Sequence, residues 1–436
     1  MAALRTVLTA IGMDLPESSK RALASLLFRR TQIRLRGLGF KERHERDIAA
    51  EDLIRIDTCW AVSTGLGLVD NIIGSYFQTR GLLLALDAGE PHRIARAIAM
   101  EASYSSASGG AAQERTADLL RTMQALARRL DDPYSLAWAA AAEGITAALE
   151  GRWKVGHDAA ERAEAIFRDR CTGASWEIAS MRWISLWSLS YLGELGELSR
   201  RIPERLREAK DRGDLYASIC HSTGLANLFW LAMDDPNHAR ERNREALRAW
   251  SQRKFHVEHW WAMLSERQID LYQGNGEAAF QGVEAQWPAL SGSLLLMVQL
   301  TKLEATHLRA RAALMLAVQR PAQCKAMLKS ALADAAKIEK EEMPWSNPLA
   351  ALLRAGAAAA ADDRGQALSL IQSAITGLDA ANMALYAAAA RYRRGYLMGG
   401  EAGKALTTAA DEWLAKQGVV NRPRMVGMLA PGFPDG

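Results

Sequence analysis

The sequence predicts an all-α protein, built as an α-solenoid of tetratricopeptide-like antiparallel helix pairs. Its 436 residues are 49% hydrophobic and 24% charged, which is enough apolar material for a large buried core. Valine occurs only eleven times, whereas alanine and leucine fill whole windows, so an extensive β-sheet is not expected. Turn signals rich in Gly, Asp, Asn and Pro recur about every 40 residues from Gly151 onward, which is the scale of a helical-repeat array.

The segments on either side of Gly151 illustrate one helix pair. Apolar residues recur at steps of three and four from Leu136 to Leu149, and again from Val155 to Phe167 with charged residues on the opposite face. A single pair of this kind cannot cover its own apolar face, so successive pairs must stack.

The same spacing predicts further helices along the chain. These are Gln113–Leu130 before the first pair, then Trp176–Leu192 with Leu198–Lys210, Leu215–Met233 with Ala239–Trp250, His256–Tyr272 with Glu277–Trp287, Leu294–Val318 with Ala322–Lys340, Pro348–Ala361 with Gln366–Ala380, and Ala384–Leu397 with Gly403–Lys416. We predict a helical lead-in over residues 1–57, broken at Pro16 and Gly37. The repeat array covers residues 58–420, and a tail over residues 421–436 packs against the last pair.

The lead-in contains a cluster of basic residues. Residues 1–50 hold ten Lys and Arg against five Asp and Glu, whereas the rest of the chain is nearly neutral. The excess lies mainly in Arg29, Arg30, Arg34, Arg36, Lys41, Arg43 and Arg46. Acidic residues interrupt this cluster and no aromatic stacking platform accompanies it. A solvated face, or a surface against an acidic neighbouring domain, is therefore favoured over nucleic-acid binding.

No catalytic, cofactor or metal motif lies in a context that supports it. A GxGxxA dinucleotide fingerprint begins at Gly274, but that motif requires a preceding strand and a helix is predicted there. His256, Glu258 and His259 place only two imidazoles on one helical face, with no third ligand nearby. We therefore expect no enzymatic activity, no cofactor and no metal site.

The cysteines and the apolar segments predict a cytoplasmic location. Cys59, Cys171, Cys220 and Cys324 are widely spaced and form no CxxC pair, which fits a reducing compartment. The first residues contain no sustained apolar stretch with a cleavage site, so no signal peptide is expected. No apolar run reaches the roughly 18 residues of a membrane span.

The candidate binding residues are aromatic and amide or imidazole side chains on the predicted first helices of the central pairs. They are Trp183, Trp187, His221, Asn227, Trp230 and Trp260. If first helices line an inner groove, these side chains anchor a peptide there; the alternative is that they fill gaps between helices. The predicted helix Leu215–Met233 has no charged residue but several hydrogen-bonding ones, which either contact a partner's backbone or are satisfied within the stack.

Several long strings resemble the C-terminal helical region of large bacterial serine/threonine protein kinases. The first, from Ile56 to Ala102, reads IDTCWAVSTGLGLVDNIIGSYFQTRGLLLALDAGEPHRIARAIAMEA. Others are LEGRWKVGHDAAERAEAIFRDRCTG from Leu149, MPWSNPLAALLRAG from Met343 and MLAPGF from Met428. The resemblance covers nearly the whole chain. It implies a tetratricopeptide-like region of the kind that follows a kinase domain and an AAA-type ATPase module in that family.

The chain itself lacks the kinase glycine-rich loop, the VAIK lysine, the HRD and DFG motifs and the ATPase phosphate loop, so no catalytic residue of the family has a counterpart here. We predict a non-catalytic protein-interaction or sensory module of a bacterial kinase/ATPase signalling system, with a protein or peptide partner. The alternatives are a small-molecule-sensing helical domain of a transcription-regulator type ATPase, and an unrecognised enzyme. An open groove favours the peptide, and a closed apolar cavity of roughly 300–1,000 Å³ favours the small molecule.

Overall fold

A computed structural model of the chain describes residues 2–16, 19–67, 70–250 and 254–434. In these ranges the chain forms 22 α-helices and no β-strand, which confirms the all-α prediction. None of the described helices is long and apolar enough to cross a bilayer. The chain divides into two compact units, which are residues 1–146 with 159–178, and residues 147–158 with 179–436.

Most residues of the first unit lie in the first eight helices. They are α1 (Ala2–Ala10), α2 (Ser19–Arg36), α3 (Ala50–Leu66), α4 (Asn71–Ala88), α5 (Pro91–Ser106), α6 (Gln113–Leu130), α7 (Pro133–Leu149) and α8 (Trp153–Arg170). In this unit α3 packs on α4, α4 on α5 and α5 on α6, while α2 lies against α4. The predicted break in the lead-in at Gly37 is present, since α2 ends at Arg36. The helix α3 runs across residue 57, where the sequence places the start of the array.

The second unit contains most of the remaining helices. They are α9 (Ser175–Leu192), α10 (Leu195–Asp211), α11 (Leu215–Ser222), α12 (Leu228–Ala232), α13 (Pro236–Arg248), α14 (Val257–Tyr272), α15 (Gly276–Gly292), α16 (Gln299–Gln319), α17 (Cys324–Glu339), α18 (Asn347–Ala360), α19 (Arg364–Ala380), α20 (Ala384–Met398), α21 (Gly400–Lys416) and α22 (Arg422–Leu429). From α13 to α21 each helix packs on the next, and the first helix α16 also contacts the first helices α14 and α18. Nearest-neighbour packing of helix pairs is the arrangement of an α-solenoid, so the predicted architecture is confirmed.

The turn between α18 and α19 shows why these sequences form pairs. Alanines and leucines of α18 are buried along its length, which lets neighbouring helices approach closely. Asp362 then adopts a left-handed conformation that ends the helix. The carboxylate of Asp363 accepts a hydrogen bond of 2.9 Å from the backbone N–H of Gln366 and caps α19. A cap of this kind stabilises a helix by about 1 kcal/mol.

One predicted helix, Leu215–Met233, is wrong because the chain breaks it into α11, a 3-10 turn and α12. Thr223 is extended and Gly224 follows with a φ of +65°, a conformation that glycine adopts without strain. The indole of Trp261 packs beside Gly224, and Ser265 Oγ donates a hydrogen bond of 3.2 Å to the Gly224 carbonyl oxygen. Tertiary contacts from α14 thus hold the break in place.

Other predicted helix ends are shifted by a few residues. The helix α15 continues past Pro288 to Gly292, and α16 begins at Gln299 after a separate 3-10 turn, Leu295–Met297. The predicted bounds Gln113–Leu130 coincide with those of α6. The presence of these helices was therefore predicted more accurately than the residues at which they begin and end, because those residues depend on the local turns.

The tail contacts more of the second unit than the last pair alone. Its helix α22 packs on α20 and α21, as predicted, and also on α14. The buried guanidinium of Arg311 on α16 donates a hydrogen bond of 3.2 Å to the Met428 carbonyl oxygen. Arg393 on α20 donates one of 3.0 Å to the Ala430 carbonyl oxygen. The tail therefore covers several first helices and belongs to the core of this unit.

Candidate functional site

The six predicted binding residues all lie in the second unit, but they differ in exposure. Trp260 is fully buried, and His221 and Asn227 are 2% exposed. Trp183, Trp187 and Trp230 are partly buried. The structure therefore does not bring the six together on one accessible surface, and the buried three have no surface to offer a partner in this conformation.

Trp183 and Trp187 pack against other aromatic side chains. Their rings stack on each other with centroids 4.9 Å apart, and Trp183 also lies 4.8 Å from Trp261. We call the aromatic group in this part of the core the aromatic interior; its members are Trp153, Trp183, Trp187, Tyr191, Trp260, Trp261 and Trp345. The gap-filling alternative therefore describes Trp183 and Trp187 better than a peptide-binding role.

A buried carboxylate lies next to the aromatic interior. Tyr191 Oη donates a hydrogen bond of 2.6 Å to Glu304 Oε1 on α16. Burial raises the pKa of Glu304 to about 7, although hydrogen bonding from Tyr191, Trp187 and Trp260 partly opposes the rise. Glu304 and His307 line an internal cavity of about 30 Å³, which has room for a water molecule or two.

His221 and Asn227 have structural roles. Burial, followed by the positive charges of Arg182 and Arg205, lowers the pKa of His221 to about 3, so its imidazole is neutral at pH 7. The amide of Asn227 donates hydrogen bonds to the carbonyl oxygens of Ser222 (3.1 Å) and Ala239 (3.0 Å), which join the helix break to α13.

The hydroxyls of this segment are also satisfied internally. Ser218 Oγ donates a hydrogen bond of 2.8 Å to the Asp214 carbonyl oxygen, and Thr223 Oγ1 one of 2.8 Å to the Ile219 carbonyl oxygen. The polar side chains of the predicted helix Leu215–Met233 thus bond largely within the stack, which is the second of the two alternatives.

Trp230 has a different environment, because α12 places it at an open groove. The groove lies between the second helices α10 and α13, over α11 and α12, and has a volume of about 600 Å³. Its apolar lining consists of Pro203, Leu206, Leu215, Trp230, Ala246 and Ala249. We call this surface the α10–α13 groove. Leu215 is 41% exposed there, which is unusual for a large apolar side chain with so much core available elsewhere.

The rim of the α10–α13 groove is predominantly cationic. Arg207 and Lys210 are exposed on α10 and form no ion pair within the described part of the chain. On the α13 side Arg242 forms an ion pair of 3.0 Å with Glu245. Three cations and one carboxylate therefore surround an apolar floor. This arrangement can hold an apolar side chain whose neighbours are acidic.

A histidine fixes the ring of Trp230. The imidazole of His238 on α13 lies over the indole with centroids 4.0 Å apart, and its Nε2 accepts a hydrogen bond of 3.1 Å from Arg242 Nε. A tryptophan held in this way presents a rigid contact surface at low entropic cost. The sequence predicted Trp230 as a contact but missed Leu206, Arg207 and Lys210. No local feature of the sequence marks these three residues as exposed around one groove.

The basic cluster of the lead-in is partly neutralised within the first unit. Arg36 forms an ion pair of 2.9 Å with Asp87, and Arg29 lies over the ring of Tyr76. Arg43 donates a hydrogen bond to the Asp47 carbonyl oxygen. Arg34 is exposed. The cluster thus serves internal contacts as well as presenting charge to solvent.

His256 and His259 take part in the cap of a helix. The backbone N–H of His256 donates a hydrogen bond of 3.1 Å to His259 Nδ1, as part of the cap of α14. Glu258 is buried, and burial raises its pKa to about 7. Nowhere in the described ranges do three or more His, Cys, Asp or Glu residues form a group that could hold a metal ion.

No family model matches the chain, and no curated protein matches it either.

Proposed function

We propose that the protein is a helical-repeat interaction module whose α10–α13 groove binds an acidic, amphipathic helix of a partner protein. The observation that carries the proposal is the open apolar floor around Trp230 with unpaired cations beside it. An amphipathic helix laid between two helices buries its apolar face and leaves its flanks near the rim. Acidic flanks are favoured because Arg207 and Lys210 have no carboxylate of their own.

The openness of the groove favours a helix over a small molecule. Small-molecule pockets measure roughly 300–1,000 Å³ and bury most of the ligand's surface. The internal cavity beside Glu304 measures about 30 Å³, whereas the open α10–α13 groove measures about 600 Å³. By the criterion set from the sequence, a peptide or protein partner fits this conformation better.

The wider context of the proposal comes from the resemblance to kinase-associated helical regions. The partner would then be a kinase or ATPase of a bacterial signalling system, acting in cis or in trans. In this role the chain acts in the cytoplasm by binding rather than by catalysis, and its four cysteines are free thiols. Purified protein is expected to hydrolyse no ATP.

A designed peptide tests the proposed groove without knowledge of the natural partner. The probe is a fluorescein-labelled helix of about five turns, with leucines at helical spacing and glutamates on both flanks. We expect Arg207→Glu with Lys210→Glu to weaken its binding at least tenfold, about 1.4 kcal/mol, since attraction is replaced by repulsion at two positions. Fluorescence anisotropy titrations measure the change.

The matched control reverses two exposed lysines on another second helix. Lys325→Glu with Lys329→Glu on α17 produces the same change in net charge at a distance from the groove. We expect this variant to bind like the wild type. Equal weakening in both variants would show that the peptide responds to net charge alone, and the proposed groove would be wrong.

A further inference from the structure

The outer face of α2, in the first unit, exposes a row of large apolar side chains. Leu27, Phe28 and Leu35 are 57%, 71% and 84% exposed, whereas Ala22, Leu26 and Ile33 on the opposite face are buried. We call the three exposed residues the α2 stripe. Three large apolar side chains at this exposure on one side of a helix are a typical sign of an interaction surface.

The stripe follows one side of the helix over about two turns. Leu27 and Phe28 are adjacent, and Leu35 lies seven to eight residues further on, which returns to the same side at about 3.6 residues per turn. Thr31, one turn before Leu35, is also exposed. Side chains at this spacing form a ridge of the kind that packs against another helix.

The charge of α2 has only one sign. Its sequence, SKRALASLLFRRTQIRLR, contains six Lys and Arg and no Asp or Glu. Arg36 is paired with Asp87, but Arg34, next to Leu35, is exposed and lacks an ion pair within the described residues. A partner helix with acidic flanks would complement this field.

We propose that the α2 stripe docks a second acidic amphipathic helix, independently of the α10–α13 groove. A second copy of the chain is disfavoured, because two α2 helices meeting face to face would oppose like charges. An anionic bilayer is disfavoured as well. The stripe spans only about two turns of one helix, which matches the width of a helix rather than a flat bilayer surface.

The test uses full-length protein in which the groove has been disabled. With Arg207→Glu and Lys210→Glu in the background, binding of the labelled acidic helix reports on the α2 stripe. We expect residual binding that falls at least tenfold when Leu27→Ser and Leu35→Ser are added, and a similar loss when glutamine replaces glutamate in the peptide. Both substituted residues are exposed, so circular dichroism should show an unchanged fold.

The control removes two exposed apolar residues elsewhere. Leu332→Ser with Val420→Ser, at positions 37% and 62% exposed, should leave binding unchanged. The proposal is overturned if the groove-disabled protein does not bind the peptide, or if Leu27→Ser with Leu35→Ser binds as tightly as its parent. The proposal is also overturned if Leu27→Ser with Leu35→Ser abolishes binding to phosphatidylserine vesicles but not to the peptide. Because the groove variants are measured separately, a lack of binding at the α2 stripe would not contradict binding at the α10–α13 groove.

Discussion

Trp260 and Trp230 lie on first helices of consecutive pairs in the second unit, yet they occupy opposite kinds of environment. Trp260 is fully buried in the aromatic interior, where Trp187, Tyr191 and Glu304 surround the same space. Trp230 lies at an open groove under His238. The difference comes from neighbours rather than residue type. The interior is filled by facing helices and covered by the tail, whereas the broken helix leaves a gap between α10 and α13.

Tryptophan content alone does not locate a binding site in this protein. A tryptophan in the interior stabilises the fold, and substitution there should change stability first. A tryptophan at the groove contributes contact area for a partner, and substitution there should change affinity first.

The largest effect is expected from loss of the tail. A chain that ends at Val420 would uncover the first helices beneath Met425, Met428 and Phe433, and each buried side chain of this kind contributes about 1.5–3 kcal/mol. We expect dye binding by exposed apolar surface at 25 °C and loss of the cooperative unfolding transition.

A chain that ends at Phe433 is the control for that truncation. It keeps the hydrogen bonds of Arg311 and Arg393 to the tail and should unfold like the full chain. If the chain ending at Val420 stayed soluble and unfolded cooperatively at the wild-type temperature, the tail would not belong to the core.

A pair of alanine substitutions compares the two environments directly. Trp260→Ala should lower the free energy of unfolding by about 3–5 kcal/mol, because it leaves a large cavity in the core. Trp230→Ala should cost less stability but should weaken binding of the acidic helix by about 2 kcal/mol, or roughly thirtyfold. Urea unfolding and anisotropy titrations on the same samples distinguish the two effects. The reverse ranking would contradict the assignment of interior and groove.

The pH dependence of stability tests the buried carboxylate of the interior. Burial raises the pKa of Glu304 to about 7, compared with about 4.3 for an exposed glutamate. Between pH 4.3 and pH 7 the native state therefore retains a proton that the unfolded chain has lost. The contribution of the Glu304 carboxyl group to the free energy of unfolding is complete below about pH 4.3 and is lost as the pH rises through 7.

Glu304→Gln should remove this dependence. Relative to the glutamine variant, the wild type should lose up to about 3 kcal/mol of stability between pH 4.5 and pH 8. The comparison cancels the opposite contribution of His221, whose depressed pKa destabilises the protein at low pH. Glu412→Gln, on an exposed position of α21, is the control and should follow the wild type. Parallel curves for wild type and Glu304→Gln would rule out the buried titration.

The smallest effect is expected from a single rim charge. Lys210→Ala should weaken binding of the acidic helix only about twofold to fivefold, since an exposed ion pair contributes about 0.2–1 kcal/mol. The loss should shrink further as salt is added. Lys154→Ala, at an exposed position on α8, should have no effect. A loss at Lys210 as large as that at Trp230 would mean that charge, rather than the apolar floor, dominates the groove.

The sequence predicted the fold well because helix pairs follow from local spacing. The bounds of α6 and the turn at Asp362 depend on residues close to them in the chain, so they could be read directly. The break at Gly224 could not be predicted from the sequence, because it is held by Trp261 and Ser265 from another helix. For the same reason the spacing of Trp230 and Trp260 did not indicate which of them would be covered. Burial is set by which helices face each position, and that information is tertiary.

Amide hydrogen exchange of the full-length protein, with and without the acidic helix, tests directly whether the partner binds at the α10–α13 groove. We expect slower exchange in α10 and α13 on binding, together with α2 where the second helix docks. Exchange in α9, α14 and α16 should stay unchanged, because the aromatic interior is already closed. Protection confined to α9, α14 and α16, with none in α10 and α13, would place the partner among the first helices, and binding at the α10–α13 groove would be wrong.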